Sequence, residues 1–248
     1  MKNALTFSAL ALLAAGATNI GCRPHNDDSF LVRERLVVVA DGMGGHQAGG
    51  IAATTTTDVF ADMAGAERCS DENAVKMMLY DTARRAHTRI VSGQGTPGCE
   101  GMGTTVVAAA YFRTRLHIAH CGDSRAYLLR HGQLCGLTED HTLVKELVNA
   151  KLITPEAAET HRQRNVITRY LGDENAERAT PEYRAISPQR GDVILLCSDG
   201  LHGAVSDDEI AAVLKKATRN NMVTGGCRCY LERTRLLKSP TMKARSIC

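Results

Sequence analysis

Along most of this chain, short apolar runs closed by Asp, Gly or Asn alternate with two longer stretches whose apolar residues recur at helical spacing. Residues 36–40 are rich in β-branched side chains and read as a buried strand, with 29–32 as the other arm of a hairpin. Residues 49–64 carry Ile51, Val59, Phe60 and Met63 at roughly helical intervals and are predicted to be a helix despite the Thr54 to Thr57 run. A second helix is predicted over 71–91, with Val75, Met78, Leu79, Ala83, Ala86 and Ile90 on one side and Met77 and Met78 as core filler. The glycine-rich loop at 93–103 lacks the Gly-Lys-Ser/Thr ending of a phosphate cradle and no helix follows it, so a nucleotide fold is rejected. Residues 104–112, 116–121, 124–130 and 133–137 read as four strands of an antiparallel meander, with His131-Gly132 as a tight turn. Short helices at 143–149 and from Thr154-Pro155-Glu156 form an insertion before Asn165 to Arg169. Strands at 183–186 and 192–197 follow, and Ser206-Asp207-Asp208-Glu209 is a capping box that opens a helix over 210–217. Helices set apart from runs of antiparallel strands predict an α+β architecture.

Composition sharpens this picture at two points. With 248 residues, 44% of them hydrophobic and 23% charged, the chain suits one large globular domain. Its formal charge of +3 hides an asymmetry: nine of the 30 Lys and Arg, but one of the 27 acids, lie in 215–248. Residues 1–214 therefore hold 21 basic against 26 acidic groups, a net of −5. An acidic body suits cation binding and argues against a broad nucleic-acid surface, while the basic run reads as a solvated tail. The nine cysteines show no disulfide framework, and Cys227-Arg228-Cys229 is too short a pair for zinc. Cys121 and Cys197, at the ends of apolar strands, read as buried thiols. No run reaches the roughly 18 apolar residues of a membrane-spanning helix, so neither membrane nor nucleic acid is expected as a partner.

The candidate chemistry lies where the strands stop. The strand at 36–40 ends in Asp41-Gly42-Met43-Gly44-Gly45-His46, the strand at 193–197 in Ser198-Asp199-Gly200, and the strand at 116–121 in Gly122-Asp123-Ser124-Arg125. Alone, each is a turn signal. Three strand-terminal aspartates with Asn26-Asp27-Asp28 upstream supply the converging carboxylates that a polynuclear Mg2+ or Mn2+ site needs, and the glycines allow backbone to approach whatever Asp41 holds.

Six blocks stand in order: Gly21-Cys22-Arg23-Pro24-His25-Asn26-Asp27-Asp28-Ser29, Asp41-Gly42-Met43-Gly44-Gly45-His46, Gly103-Thr104-Thr105, Cys121-Gly122-Asp123-Ser124-Arg125, Leu137-Thr138-Glu139-Asp140-His141 and Cys197-Ser198-Asp199-Gly200-Leu201. In order and spacing they resemble the bacterial metal-dependent protein phosphatases of type 2C over residues 18–214. The resemblance implies two packed antiparallel sheets flanked by helix pairs, and hydrolysis of phosphoserine and phosphothreonine by a metal-activated water attacking phosphorus in line. It implies two Mn2+ or Mg2+ ions, with Asp41 bridging them, Asp27 and the Gly42 carbonyl serving one and Asp199 the other. Asp123, with Asp199, matches the holder of a third ion in bacterial members, and Asp28 a carboxylate that orients ligands or water. Arg23 matches the arginine that grips the substrate phosphate, a task suited to a planar bidentate donor. Phosphorylated proteins and a cognate Ser/Thr kinase are the implied partners. Met43 stands where some members carry a histidine, so no general acid is assigned, and His46 is as well explained by packing or by a surface position.

The two ends depart from this pattern. Residues 1–17 resemble a secretory leader with a small-residue cleavage site, but the family pattern begins at Gly21, which favours a retained apolar strand and a cytoplasmic protein over an exported one. The phosphatase domain is predicted over 1–217, with 218–248 as a divergent basic tail. Asn220-Asn221-Met222-Val223-Thr224 is a neutral echo of the family's final Asp-Asn pair. Such an ending is expected to leave the sheet a strand short, with an open edge and one weakened metal site. The alternative function is therefore a catalytically weak or inactive phosphatase-like domain that binds phosphoproteins.

Overall fold

The computed structural model describes residues 11–21, 23–44, 48–63, 68–220 and 226–231. Two sheets stack face to face. One contains β2 (Asp28–Val32), β3 (Leu36–Met43), β5 (Val106–Phe112), β6 (Arg115–Cys121) and β9 (Glu182–Ile186) in that order, with the two-residue β4 (Gly103–Thr104) paired to the end of β3. Every pairing in it is antiparallel. The other runs β1 (Ala11–Gly16), β11 (Gly226–Leu231), β10 (Val193–Cys197), β7 (Arg125–Arg130) and β8 (Gln133–Gly136). Here β11 lies parallel to both its neighbours, and the remaining pairs are antiparallel.

Side-chain alternation builds three apolar layers from these sheets. Val37, Val39, Val107, Ala109, Leu116 and Ile118 face Ala126, Leu128, Ile194 and Leu196 between the sheets. The opposite face of β3 and β5, through Val38, Ala108 and Ala110, packs on α1 (Ala48–Ala61) and α2 (Glu72–Gly93) by way of Val59, Phe60, Leu79, Ala83 and Ile90. Tyr127, Leu129, Val193 and Leu195 meet Leu201 of α5 (Asp199–His202) and Ile210 and Leu214 of α6 (Asp207–Asn220) on the far side. Strands covered on both faces read as continuous apolar runs, which is why 36–40 and 193–197 stand out in the sequence.

The local signals are met closely. Asp71 caps α2 by accepting from Ala74 N–H at 2.8 Å, and Ser206 and Glu209 form the capping box of α6, with Ser206 N–H donating to Glu209 Oε2 at 2.9 Å. Between β8 and β9 lie α3 (Leu143–Asn149) and α4 (Pro155–Glu159), each capped by a threonine. Two apolar expectations fail: Ile51 and Met77 face solvent, 45% and 47% exposed, because each lies on the helix side away from the sheet.

Two topological expectations are corrected. The four strands after residue 103 do not form one meander. β5 and β6 pair in the first sheet, whereas β7 and β8 belong to the second, so the chain changes sheets at Gly122 to Ser124. Gly122 makes that step with φ +111°, and a Cβ there would lie 2.6 Å from Thr105. Nor is the second sheet a strand short: Gly226–Leu231 is seated between β1 and β10. His46 and residues 221–225 lie outside the described residues.

Candidate metal centre

Register assembles the acidic site. In the β2–β3 hairpin Asp28 stands opposite Asp41, so two carboxylates leave adjacent strands at the same end of the sheet. β10 ends at Cys197, and Ser198 passes the chain to Asp199 at the start of α5, with Ser198 Oγ donating to Asp28 Oδ2 at 3.0 Å. That bond joins the ends of the two stacked sheets. Asp123 enters from the sheet-changing turn, its carbonyl 3.0 Å from His202 Nε2 on α5.

Threonine 105 ties the parts together. Its N–H donates to Asp41 O at 2.9 Å, its hydroxyl accepts from Asp41 N–H at 3.1 Å, and the same hydroxyl is 2.7 Å from Ser124 Oγ. Thr104 Oγ1 donates a further bond to Asp41 O at 2.9 Å. The peptide carrying Asp41 is thereby held from both sides. Gly42 is required by a close approach: a Cβ there would sit 2.0 Å from Gly49 O on α1 and 2.8 Å from Asp27 O. The backbone that Gly42 approaches is that of the helix following it.

The electrostatics are one-sided. Burial pushes the Asp41 carboxyl well above the ordinary carboxylate range, and Asp28, Asp199 and Asp123 push it in the same direction, Asp199 also through a side-chain hydrogen bond. Asp123 is raised to about 7 by burial, then by Asp199 and Asp140, with Arg125 opposing. Arg125 is committed to Asp140, donating from Nε at 2.8 Å and Nη2 at 2.6 Å, and to Tyr127 Oη at 2.8 Å. Four carboxylates thus converge with no cation among the groups acting on Asp41. An all-oxygen donor set of this charge fits hard divalent ions, which would offset the mutual repulsion.

Of the residues singled out in the sequence, the structure brings together Asp28, Asp41, Asp123 and Asp199. Asp27 contributes its carbonyl to Gly42 N–H at 3.0 Å, and its carboxylate lies beside Gly50 of α1. Arg23 lies exposed on the turn before β2, its N–H donating to Ile20 O at 3.3 Å. The supporting roles of Thr105, Ser198, Ser124 and His202 went unrecognised, although all but His202 stand inside the quoted blocks. For Ser124 and Ser198 a hydroxyl next to an acidic strand end was the available signal, whereas Thr105 meets Asp41 only across 64 residues of chain.

A two-sheet sandwich with helices on its outer faces and an aspartate cluster at the strand ends defines a class of metal-site protein. The model of the protein phosphatase 2C family matches residues 17–225, and the chain belongs to that family. It is 40% identical over 195 residues to the serine/threonine protein phosphatase PstP of Mycobacterium tuberculosis, a match covering 78% of this chain and 37% of the relative. It is 37% identical over 204 residues to a putative protein phosphatase 2C-type of Streptococcus pyogenes, covering 79% of this chain and 82% of that one. Among solved structures, the catalytic domain of PstP in complex with two manganese ions superposes with a TM-score of 0.69 at 36% identity, covering 81% of this chain and 80% of that chain. No helix among the described residues is long and apolar enough to cross a membrane.

Proposed function

We propose that this protein is a Mn2+- or Mg2+-dependent phosphatase acting on phosphoserine and phosphothreonine in proteins. The observation that carries the reading is the gathering of Asp28, Asp41, Asp123 and Asp199 at one end of the sandwich, where every influence on Asp41 opposes its charge. Family membership and the manganese-bound structure of its relative support the same choice of ion. Asp41 would bridge two ions, Asp27 and the Gly42 carbonyl would serve one and Asp199 the other, and Asp123 with Asp199 would hold a third. Bound there, divalent ions lower the pKa of a water and offset charge on the phosphoryl group.

The chain's own groups provide placement. Ser198 anchors Asp28, and Thr104 and Thr105 hold the Asp41 peptide, so the carboxylates are presented without rearrangement. Asp28 is then positioned to orient a ligand or water. Arg23, exposed on the turn before β2, would grip the substrate phosphate with its bidentate guanidinium. The partners in this reading are phosphorylated proteins and an opposing Ser/Thr kinase. A cytoplasmic setting belongs to the same proposal, supported by the pairing of Ala11–Gly16 with β11, and cell fractionation tests it.

Purified protein should release phosphate from a phosphothreonine peptide with Mn2+, and Asp41→Asn should abolish that release. Turnover that persists in excess chelator refutes the reading. No observation favours the non-hydrolysing alternative: Asp28, Asp123 and Asp199 all act on Asp41.

A further inference from the structure

Apart from the aspartates, three potential metal-binding side chains cluster tightly among the described residues: His120, His141 and Glu182, whose donor atoms all lie within 4.8 Å of one another. That cluster already holds a cation. Arg169 Nη1 donates to Glu182 Oε1 at 2.7 Å and lies 3.1 Å from His141 Nε2, while Nη2 donates to Thr180 O. The imidazoles are committed as well. His120 Nε2 is 2.9 Å from Glu139 O and its ring stacks on that of His141, while Gly122 N–H donates to His141 Nδ1 at 3.1 Å. With Nδ1 accepting, the proton of the neutral His141 ring is on Nε2, 3.2 Å from Glu182 Oε1. Such a ring has no lone pair left for a metal.

What the cluster holds is the turn carrying Asp123. His141 grips Gly122 twice, through Nδ1 and through its own N–H, which donates to Gly122 O at 3.1 Å. Thr105 blocks Gly122 on one side and holds Ser124 by hydroxyl contact on the other, so Asp123 projects from a turn clamped at both ends. His141 also anchors the helical insertion. Its carbonyl accepts from Thr168 N–H at 2.9 Å, and Thr142 bridges to Ile167. At the far end of the insertion, Leu171 exchanges two backbone bonds of 2.9 Å with Thr104, whose hydroxyl reaches Asp41 O.

We propose that His141 is a positioning residue of the aspartate centre: its imidazole, oriented by Glu182, which Arg169 holds in place, sets the Gly122 peptide and through it the Asp123 carboxylate, and couples the insertion at 142–171 to that carboxylate. The role rests on the metal-phosphatase reading above. His141→Leu removes the acceptor at similar size, whereas His141→Asn keeps an acceptor near the Nδ1 position. Mn2+ binding by titration calorimetry and Gly122 amide exchange by NMR in metal-free protein are the two measurements. His141→Leu should weaken Mn2+ binding about 10–100-fold, as loss of a ligand-orienting partner does, and accelerate Gly122 exchange. His141→Asn should restore most of both. Wild-type values for His141→Leu, or equal damage from His141→Asn, overturn the proposal. If the wild-type protein binds no Mn2+, the metal-phosphatase reading fails, and Gly122 exchange alone decides the positioning role. Should His141→Leu not fold, Glu182→Gln at a half-exposed position takes its place, with the same direction expected and wild-type behaviour overturning the proposal.

Discussion

Removing metal from a site built of repelling carboxylates should leave a pH signature in stability, and Asp123 is the place to read it. In the unfolded chain this carboxyl ionises near 3.8, and in the metal-free fold burial and the neighbouring Asp199 raise it to about 7. Between those values the folded state retains a proton that the unfolded state has released. The sign follows: stability falls as pH rises across the window and is flat above it. Each unit is worth about 1.4 kcal/mol, so Asp123 accounts for a loss of at most about 4 kcal/mol by pH 8. For a domain of this size, that corresponds to roughly 10 °C in Tm. Thermal unfolding in chelator at pH 5 to 8 should show Asp123→Asn gaining on wild type as pH rises. Excess Mn2+ should remove the gain by replacing the proton with an ion. Identical pH profiles for the two proteins in chelator would refute the reasoning, because the carboxylate would then not be in the repelling cluster.

Other perturbations test separate parts of the structure. Gly42→Ala drives a methyl into Gly49 O and should cost about 1–3 kcal/mol or more in urea unfolding, together with Mn2+-dependent activity. Leu196→Ala, in the layer between the sheets, should cost about 2–5 kcal/mol in the same assay with an unchanged m-value. Asp192 is 2% exposed and accepts from Arg130 Nε and Nη2 at 2.9 and 2.6 Å. Asp192→Ala therefore leaves a guanidinium without its bidentate partner and should cost on the order of 3 kcal/mol by chemical denaturation. Burial pushes the Cys121 and Cys197 thiols up to about 12, whereas Cys135 is exposed. Brief alkylation of the native protein at pH 8 followed by peptide mapping should label Cys135 and leave the two buried thiols unmodified.

Much of the architecture was readable because local rules and the final fold agree. Period-2 and apolar runs marked the strands, Ser206 and Glu209 marked the start of α6, and Thr154 with Pro155 marked the start of α4. The reading failed where a local pattern is compatible with two tertiary arrangements. Consecutive strands joined by short turns look alike whether they stay in one sheet or change sheets, and β7 joins the second sheet by pairing with β10 after the turn at Gly122. Ile51 and Met77 fit an apolar spacing, but which arc of a helix faces the sheet is set by the partner it packs on. The basic composition after residue 214 concealed the short strand Gly226–Leu231.

The sequence by itself determined that several aspartates would stand at strand ends beside glycines, since side-chain chemistry and chain punctuation are local properties. Tertiary structure alone decided that Asp28 faces Asp41 across a hairpin, that Ser198 joins the two sheets through Asp28, and that His141 reaches Gly122. Those relations depend on strand register and on how two twisted sheets stack. They bring together residues as far apart in the chain as 28 and 198, and no local spacing records them.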